Sequence, residues 1–218
     1  MTRSDQTPEF PLPMGGGGYP PCIGDGGLTH KADTTDSAND RRNIYLTGFS
    51  GTGKSHSGRI TAEKLGMKFV DTDELIEQKS GKPIPEIFEE DGEAKFRDIE
   101  SATLAEAAAS VNTVISTGGG MPMRPENREL MSRTGLVIRL KASPESINTR
   151  LTRSEGARGR TLRPLLGGDA PVEKIRRLLA DREEAYSAAH ITIDTENKIP
   201  RDVANEIIQA WRDITGGG

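Results

Sequence analysis

Residues 48–55 read Gly48-Phe49-Ser50-Gly51-Thr52-Gly53-Lys54-Ser55. Before them stands Asn43-Ile44-Tyr45-Leu46-Thr47, a short apolar run suited to a buried strand. After them, residues 55–65 offer Ile60, Ala62 and Leu65 to one helical face. Gly-x4-Gly-Lys-Ser therefore falls between a strand and a helix, the context in which this spacing has a mechanism. Gly48, Gly51 and Gly53 allow a tight bend and a close approach of backbone to ligand. The N–H groups of such a loop and the N-terminus of the following helix converge on one point, which favours an anion. Lys54 is placed to reach the β- and γ-phosphates of a nucleoside triphosphate, and the Ser55 hydroxyl to ligate Mg²⁺.

Working outward, the chain has 218 residues, enough for one α/β domain with a tail. A net charge of −4 argues against nucleic acid as a partner. The single cysteine, Cys22, excludes an internal disulfide and fits a reducing compartment, so a cytoplasmic protein is expected. No stretch is apolar for long enough to span a bilayer. Residues 1–40 are rich in Gly, Pro, Ser, Thr and Asp and read as a disordered N-terminal tail. The tail lacks the apolar stretch of a secretory signal and is too acidic for an organelle transit peptide. Cys22 and His30 within it are isolated and do not make a metal site.

Residues 41–215 alternate strand and helix patterns, and residues 216–218 read as a flexible end. Strands are expected over 43–47, 67–71, 113–117, 136–140 and 191–194. Intervening helices imply a central parallel five-stranded sheet covered on both faces, a three-layer α/β sandwich. In the last helix Val203, Ile207, Ala210 and Trp211 fall at i, i+4, i+7 and i+8, which makes Trp211 a core residue.

Four later features narrow the ligand. Asp71-Thr72-Asp73 closes the second expected strand, where ligands of open α/β sheets bind. Asp71 could hold a water on Mg²⁺, and Asp73 could accept a hydrogen bond and then a proton from a substrate hydroxyl. Alternatively, either one caps the next helix. Gly92 ends a short helix carrying Ile87 and Phe88, and a new helix begins that runs to about Ser110. In it Arg97 lies one turn from Glu93 and from Glu100, so an ordinary surface ion pair competes with a ligand role. Gly118, Gly119 and Gly120 follow the third strand, either as a place for close backbone approach or as a plain turn. The stretch 153–168 carries Arg153, Arg158, Arg160 and Arg163 among Gly156, Gly159, Gly167 and Gly168. It reads as a lid that closes on phosphates, or as a solvated basic loop. Finally, Ile175, Leu179, Arg182 and Tyr186 share one helical stripe, which turns Arg182 inward. A buried cation needs a partner, either an internal carboxylate or a ligand anion.

In order, Gly-x4-Gly-Lys-Ser, Asp-Thr-Asp-x3-Glu, Ile-Phe-x3-Gly-Glu-x2-Phe-Arg-x2-Glu, Gly-Gly-Gly, Arg-Pro-Leu-Leu and Arg-x3-Tyr closely resemble shikimate kinase over residues 43–211. The resemblance implies a P-loop, nucleoside-monophosphate-kinase-like fold and transfer of the ATP γ-phosphate to the 3-hydroxyl of shikimate, with Mg²⁺. By position, Gly51, Thr52, Gly53, Lys54, Ser55 and His56 hold ATP, together with Arg163 and Lys198. Ser55 and, through water, Asp71 hold the metal. Asp73, Lys54 and Arg163 form the catalytic set. Arg97 and Arg182 resemble the pair that grips the substrate carboxylate, and Asp73 the group that binds the ring hydroxyls. Gly119 and Gly120 touch the substrate, and Phe88 and Phe96 wall its ring. The chain departs from the family at His56, where a small hydroxyl residue is more frequent, and near Lys198, whose register needs a gap. The expected assembly is a monomer that binds shikimate and neither nucleic acid nor membrane. Gluconate kinase would share the phosphate loop but would not need Arg97, Arg182 and the glycine triplet together. A non-catalytic regulatory module of this fold would be expected to lose Lys54, Asp73 or Arg163.

Overall fold

In β1 (Asn43–Thr47) all five residues are buried, as expected of a central strand. A computed structural model describes residues 43–158 and 171–216 of the chain. The expectations for residues 1–40, for Arg160 and Arg163 with the rest of the 159–168 stretch, and for the last two residues lie outside this range.

The other strands are β2 (Lys68–Asp71), β3 (Thr113–Ser116), β4 (Gly135–Lys141) and β5 (Ile191–Asp194), within a residue of their expected bounds. They form one parallel sheet in the order β2-β3-β1-β4-β5. The period-two alternation of strand side chains divides the core. Ile44, Leu46, Val114, Leu136, Ile138 and Leu140 face α1 (Lys54–Leu65) and α7 (Pro200–Thr215), meeting Ala62, Val203 and Ile207. Tyr45, Ile115 and Val137 face the other way, onto Leu104 and Ala107 of α3 (Ile84–Ala108) and Met131 of α4 (Pro125–Thr134). The result is the expected three-layer sandwich. Trp211 is partly buried and packs on the first of these cores.

Helix ends follow their local chemistry. Asp71 caps α2 (Thr72–Ser80), accepting from the Asp73 N–H at 3.1 Å. Gly92 breaks α3 with φ 77° and ψ 170°, so the two expected helices meet there at a kink. The inward face of α1 differs from expectation: Ser57, Gly58, Thr61 and Ala62 are buried, and Ile60 is only half-buried. The cause is close packing on the sheet. A Cβ at residue 58 would lie 2.7 Å from Phe69 and 3.0 Å from Leu46, so small residues must face inward. Helix α5 runs from Pro144 to Arg158, so the first residues of the stretch expected to be a lid, from Arg153 on, continue a helix. Helix α6 (Pro171–Ser187) brings the expected stripe inward, with Ile175 and Tyr186 buried and Leu179 and Arg182 half-buried.

Candidate active site

The turn after β1 crosses the C-terminal edge of the sheet. Gly48 has φ 124°, and a Cβ there would lie 2.3 Å from the Leu140 carbonyl oxygen, so no other residue fits. Thr52 ties the loop to itself, its hydroxyl donating to the Phe49 carbonyl at 2.8 Å. Lys54, only 8% exposed, folds back and donates to the carbonyls of Gly48 (2.8 Å) and Phe49 (3.0 Å). Its ammonium thus lies at the mouth of the loop, on an axis continued by the N-terminus of α1.

Beside it, the Ser55 hydroxyl donates to Asp71 Oδ2 at 2.6 Å and lies 3.4 Å from the Ser116 hydroxyl. Of the two readings of Asp71, the cap is observed: one oxygen caps α2, while the other accepts from Ser55 at the phosphate loop. This compact oxygen group suits a hard cation that keeps waters and shares phosphate oxygens. Among the described residues there is no cluster of three or more His, Cys, Asp or Glu that could cage a metal by itself.

The glycine triplet makes the second half of the site. A Cβ on Gly118 would lie 2.6 Å from Asp73 Oδ1, one on Gly119 would lie 3.8 Å from Arg182 Nη1, and one on Gly120 would lie 2.0 Å from Arg97 Nη1. Gly118 and Gly120 thus leave room for polar side chains from α2 and α3, while Gly119 lies in ordinary contact distance of Arg182 from α6. The same Cβ position at Gly119 lies 3.5 Å from the Ser50 nitrogen, which joins this pocket to the phosphate loop. The triplet is no loose turn: Gly118 N–H donates to the buried Thr72 hydroxyl (2.9 Å), and the Tyr186 hydroxyl donates to the Gly119 carbonyl (2.7 Å).

The two arginines differ in their partners. Arg97 donates to Glu100 at 2.6 Å and to Glu93 at 2.9 Å, and it stands over Phe96 and Phe88, whose ring centroids are 4.3 Å apart. The ion pairs expected as an alternative do form: the one to Glu93 is at the surface, but the one to Glu100 is not, since Glu100 is 2% exposed. Burial pushes the Glu100 carboxyl up, against the pull of Arg97, Arg182 and Arg124. Arg97 commits two of its five N–H groups in this way. Arg182 reaches the Gly119 carbonyl only at 3.5 Å and stacks 5.5 Å from the Phe49 ring. It forms no ion pair with a described carboxylate, although the sequence demanded an anion for it.

Of the remaining expected site residues, His56 is exposed on α1, and Lys198 pairs with Glu206 at 2.6 Å beyond β5. Arg163 lies outside the described residues. Sequence reasoning missed Thr72 and Ser116 as parts of the site, because their roles depend on β2 lying next to β3. Glu100 carried a signal, its place three residues after Arg97, but its burial did not.

A phosphate-binding loop between β1 and α1, on a parallel sheet of this order with an arginine-lined pocket beside it, defines a small-molecule phosphotransferase of the P-loop, nucleoside-monophosphate-kinase-like class. A family model described as shikimate kinase matches residues 50–212. Shikimate kinase from Symbiobacterium thermophilum is 46% identical over 170 residues, covering 77% of this chain and 94% of its own length. The solved shikimate kinase from Acinetobacter baumannii in complex with shikimate superposes with a TM-score of 0.73 at 39% identity, covering 80% of this chain and 95% of its own. A gluconokinase from Sinorhizobium meliloti 1021 shares the fold alone, at 18% identity and a TM-score of 0.50. The chain belongs to the shikimate kinase family.

Proposed function

We propose that this chain transfers the γ-phosphate of ATP to the 3-hydroxyl of shikimate, giving shikimate 3-phosphate and ADP. The observation that carries the reading is the glycine triplet, which gathers Asp73, Arg182 and Arg97 around one small pocket that opens onto the phosphate loop. A substrate with a carboxylate on one side and hydroxyls on the other suits that arrangement. Arg182, half-buried and without a described carboxylate partner, and Arg97, with N–H groups to spare, grip the carboxylate. Asp73 orients the hydroxyl and takes its proton as the phosphoryl group arrives. Phe88 and Phe96 wall the ring, while the backbone of Gly119 and Gly120 lines its other face.

On the nucleotide side, the loop N–H groups from Gly51 to His56 cradle the phosphates. Lys54 exchanges its two loop carbonyls for phosphate oxygens. Arg163 neutralises charge that develops on the transferred group, and Lys198 borders the adenine. Ser55 and, through water, Asp71 would hold Mg²⁺, which neutralises phosphate charge when bound. All the assigned groups come from one chain, so a monomer is sufficient for the reaction. Among the described residues no helix is long and apolar enough to cross a membrane. That, and a single cysteine in 218 residues, fit a cytoplasmic enzyme.

The test is ADP release with shikimate, quinate or gluconate as acceptor, with titration calorimetry of shikimate into Arg182→Ala. Shikimate is expected to be the preferred acceptor. The Arg182 variant is expected to bind it at least tenfold more weakly, since a charge-assisted contact is worth about 1.5–3 kcal/mol. Preferential use of gluconate, or normal shikimate binding by the variant, overturns the assignment.

A further inference from the structure

Arg139 is a cation in the middle of the sheet. It lies on β4 opposite Thr47, the last residue of β1 before the phosphate loop. Its side chain points to the same face as Val137, towards α6, and the residue is 5% exposed. A charge so placed is costly unless it is fully paired. Glu183 supplies the pair in a two-pronged contact, accepting from the two terminal nitrogens at 2.8 and 2.6 Å. The same guanidinium stands 5.5 Å from the centroid of the Tyr186 ring. Neither Arg139 nor Glu183 touches the acceptor pocket. Yet Glu183 is the immediate neighbour of Arg182, and Tyr186 is one turn further on.

One turn of α6 is therefore held at two points. Glu183 is anchored to the sheet through Arg139, and Tyr186 is anchored to the Gly119 carbonyl at 2.7 Å. Arg182 immediately precedes the Glu183 anchor and lies one turn before the Tyr186 anchor, and its guanidinium reaches that same carbonyl only loosely, at 3.5 Å. The orientation of Arg182 is thus set by the rotation of α6 about its axis, and the pair fixes that rotation. A side-chain head about 6 Å from the helix axis moves about 1 Å for a 10° turn. A misplacement of that size is enough to weaken a directed contact severely.

We infer that Arg139 and Glu183 are positioning residues for the acceptor: their ion pair sets the rotation of α6 so that Arg182 meets the substrate carboxylate. The inference rests on the reading of Arg182 as a carboxylate ligand. An isolated structural ion pair would stabilise the fold without discriminating between the two substrates. A positioning pair has to act on the acceptor alone, and only while Arg182 is present.

Steady-state kinetics with shikimate and ATP separate the two cases. The variants are Glu183→Gln, Arg139→Met and Arg139→Lys, with Glu183→Gln made again in an Arg182→Ala background. Wild type is expected to phosphorylate shikimate. Glu183→Gln is expected to raise KM for shikimate about five- to tenfold while KM for ATP stays within about twofold. Arg139→Met is expected to do the same or more, and Arg139→Lys to recover part of the loss by keeping one charged contact. In the Arg182→Ala background, Glu183→Gln is expected to add nothing, because the group it positions is gone. Should Arg139→Met fail to fold, Glu183→Gln, a change at a half-exposed carboxylate, still decides. Equal rises in both KM values, or a full additional loss in the Arg182→Ala background, overturn the inference while leaving the family reaction intact. A wild-type chain that does not use shikimate overturns the reading beneath it as well.

Discussion

Gly120→Ala tests the acceptor pocket by the addition of one methyl group. Gly120 has φ −92° and ψ −14°, a conformation open to alanine, so the backbone bears no strain. The new Cβ would lie 2.0 Å from Arg97 Nη1, whereas ordinary contact begins at about 3.4 Å. The guanidinium must therefore retreat by about 1.4 Å, the difference between those two distances. It is the far end of a flexible side chain, so the retreat costs the fold little. The cost falls on the direction of its remaining N–H groups. Losing one charge-assisted contact at about 1.5–3 kcal/mol corresponds to roughly 10- to 100-fold weaker shikimate binding at about 1.4 kcal/mol per tenfold. Nucleotide affinity is expected to hold, since the described hydrogen-bond partners of Arg97 are Glu93 and Glu100, neither of which belongs to the phosphate loop. Gly48→Ala is the contrast. There the added Cβ meets the Leu140 backbone oxygen at 2.3 Å and φ is 124°, so thermal stability is expected to fall. Calorimetric titration of shikimate and of a non-hydrolysable ATP analogue, with the unfolding midpoint of each variant, checks both. Unchanged shikimate binding by a folded Gly120→Ala protein would refute the placement of Arg97 in the acceptor pocket.

Asp73→Asn keeps the size and hydrogen bonding of the side chain but cannot take a proton, so kcat is expected to fall by a larger factor than shikimate affinity; the reverse order would remove Asp73 as the base. Lys54→Met is expected to lower turnover by about 10²-fold or more with the fold retained, as read by circular dichroism and single-turnover kinetics. In the acid range, the bonds from Arg139 hold the Glu183 carboxyl at about 2, below its usual 4.5. Stability from this group is then complete above pH about 4.5 and is lost as pH falls towards about 2, because the unfolded chain binds the proton first. For a half-exposed carboxylate the screened effect is about 1 kcal/mol. Urea unfolding is accordingly expected to show the gap between wild type and Glu183→Gln closing by that amount between about pH 5 and pH 2, and a pH-independent gap would deny the depressed carboxyl.

The parts of the protein legible in the chain are those whose causes are local. Glycine spacing, an apolar run and a following helix suffice to recognise a phosphate loop, because all its groups lie within eight residues. Strand positions, the break at Gly92 and the stripe that turns Arg182 inward are likewise set by backbone freedom and by side-chain period. Tertiary structure decided whatever needs two distant segments to meet. Only the order β2-β3-β1-β4-β5 puts Ser116 beside Ser55 and lets Thr72 accept from Gly118. Only the packing of α2 and α3 over one strand end shows why residues 118 and 120 are glycine, leaving room for Asp73 and Arg97. Arg139 in the chain is an unremarked arginine in an apolar run, and Glu183 is one of two adjacent acids on a polar helix. Their pairing joins residues 44 positions apart, and no local pattern encodes it. Local propensity depends on neighbours along the backbone, whereas the burial of a charge depends on which elements the fold stacks above it.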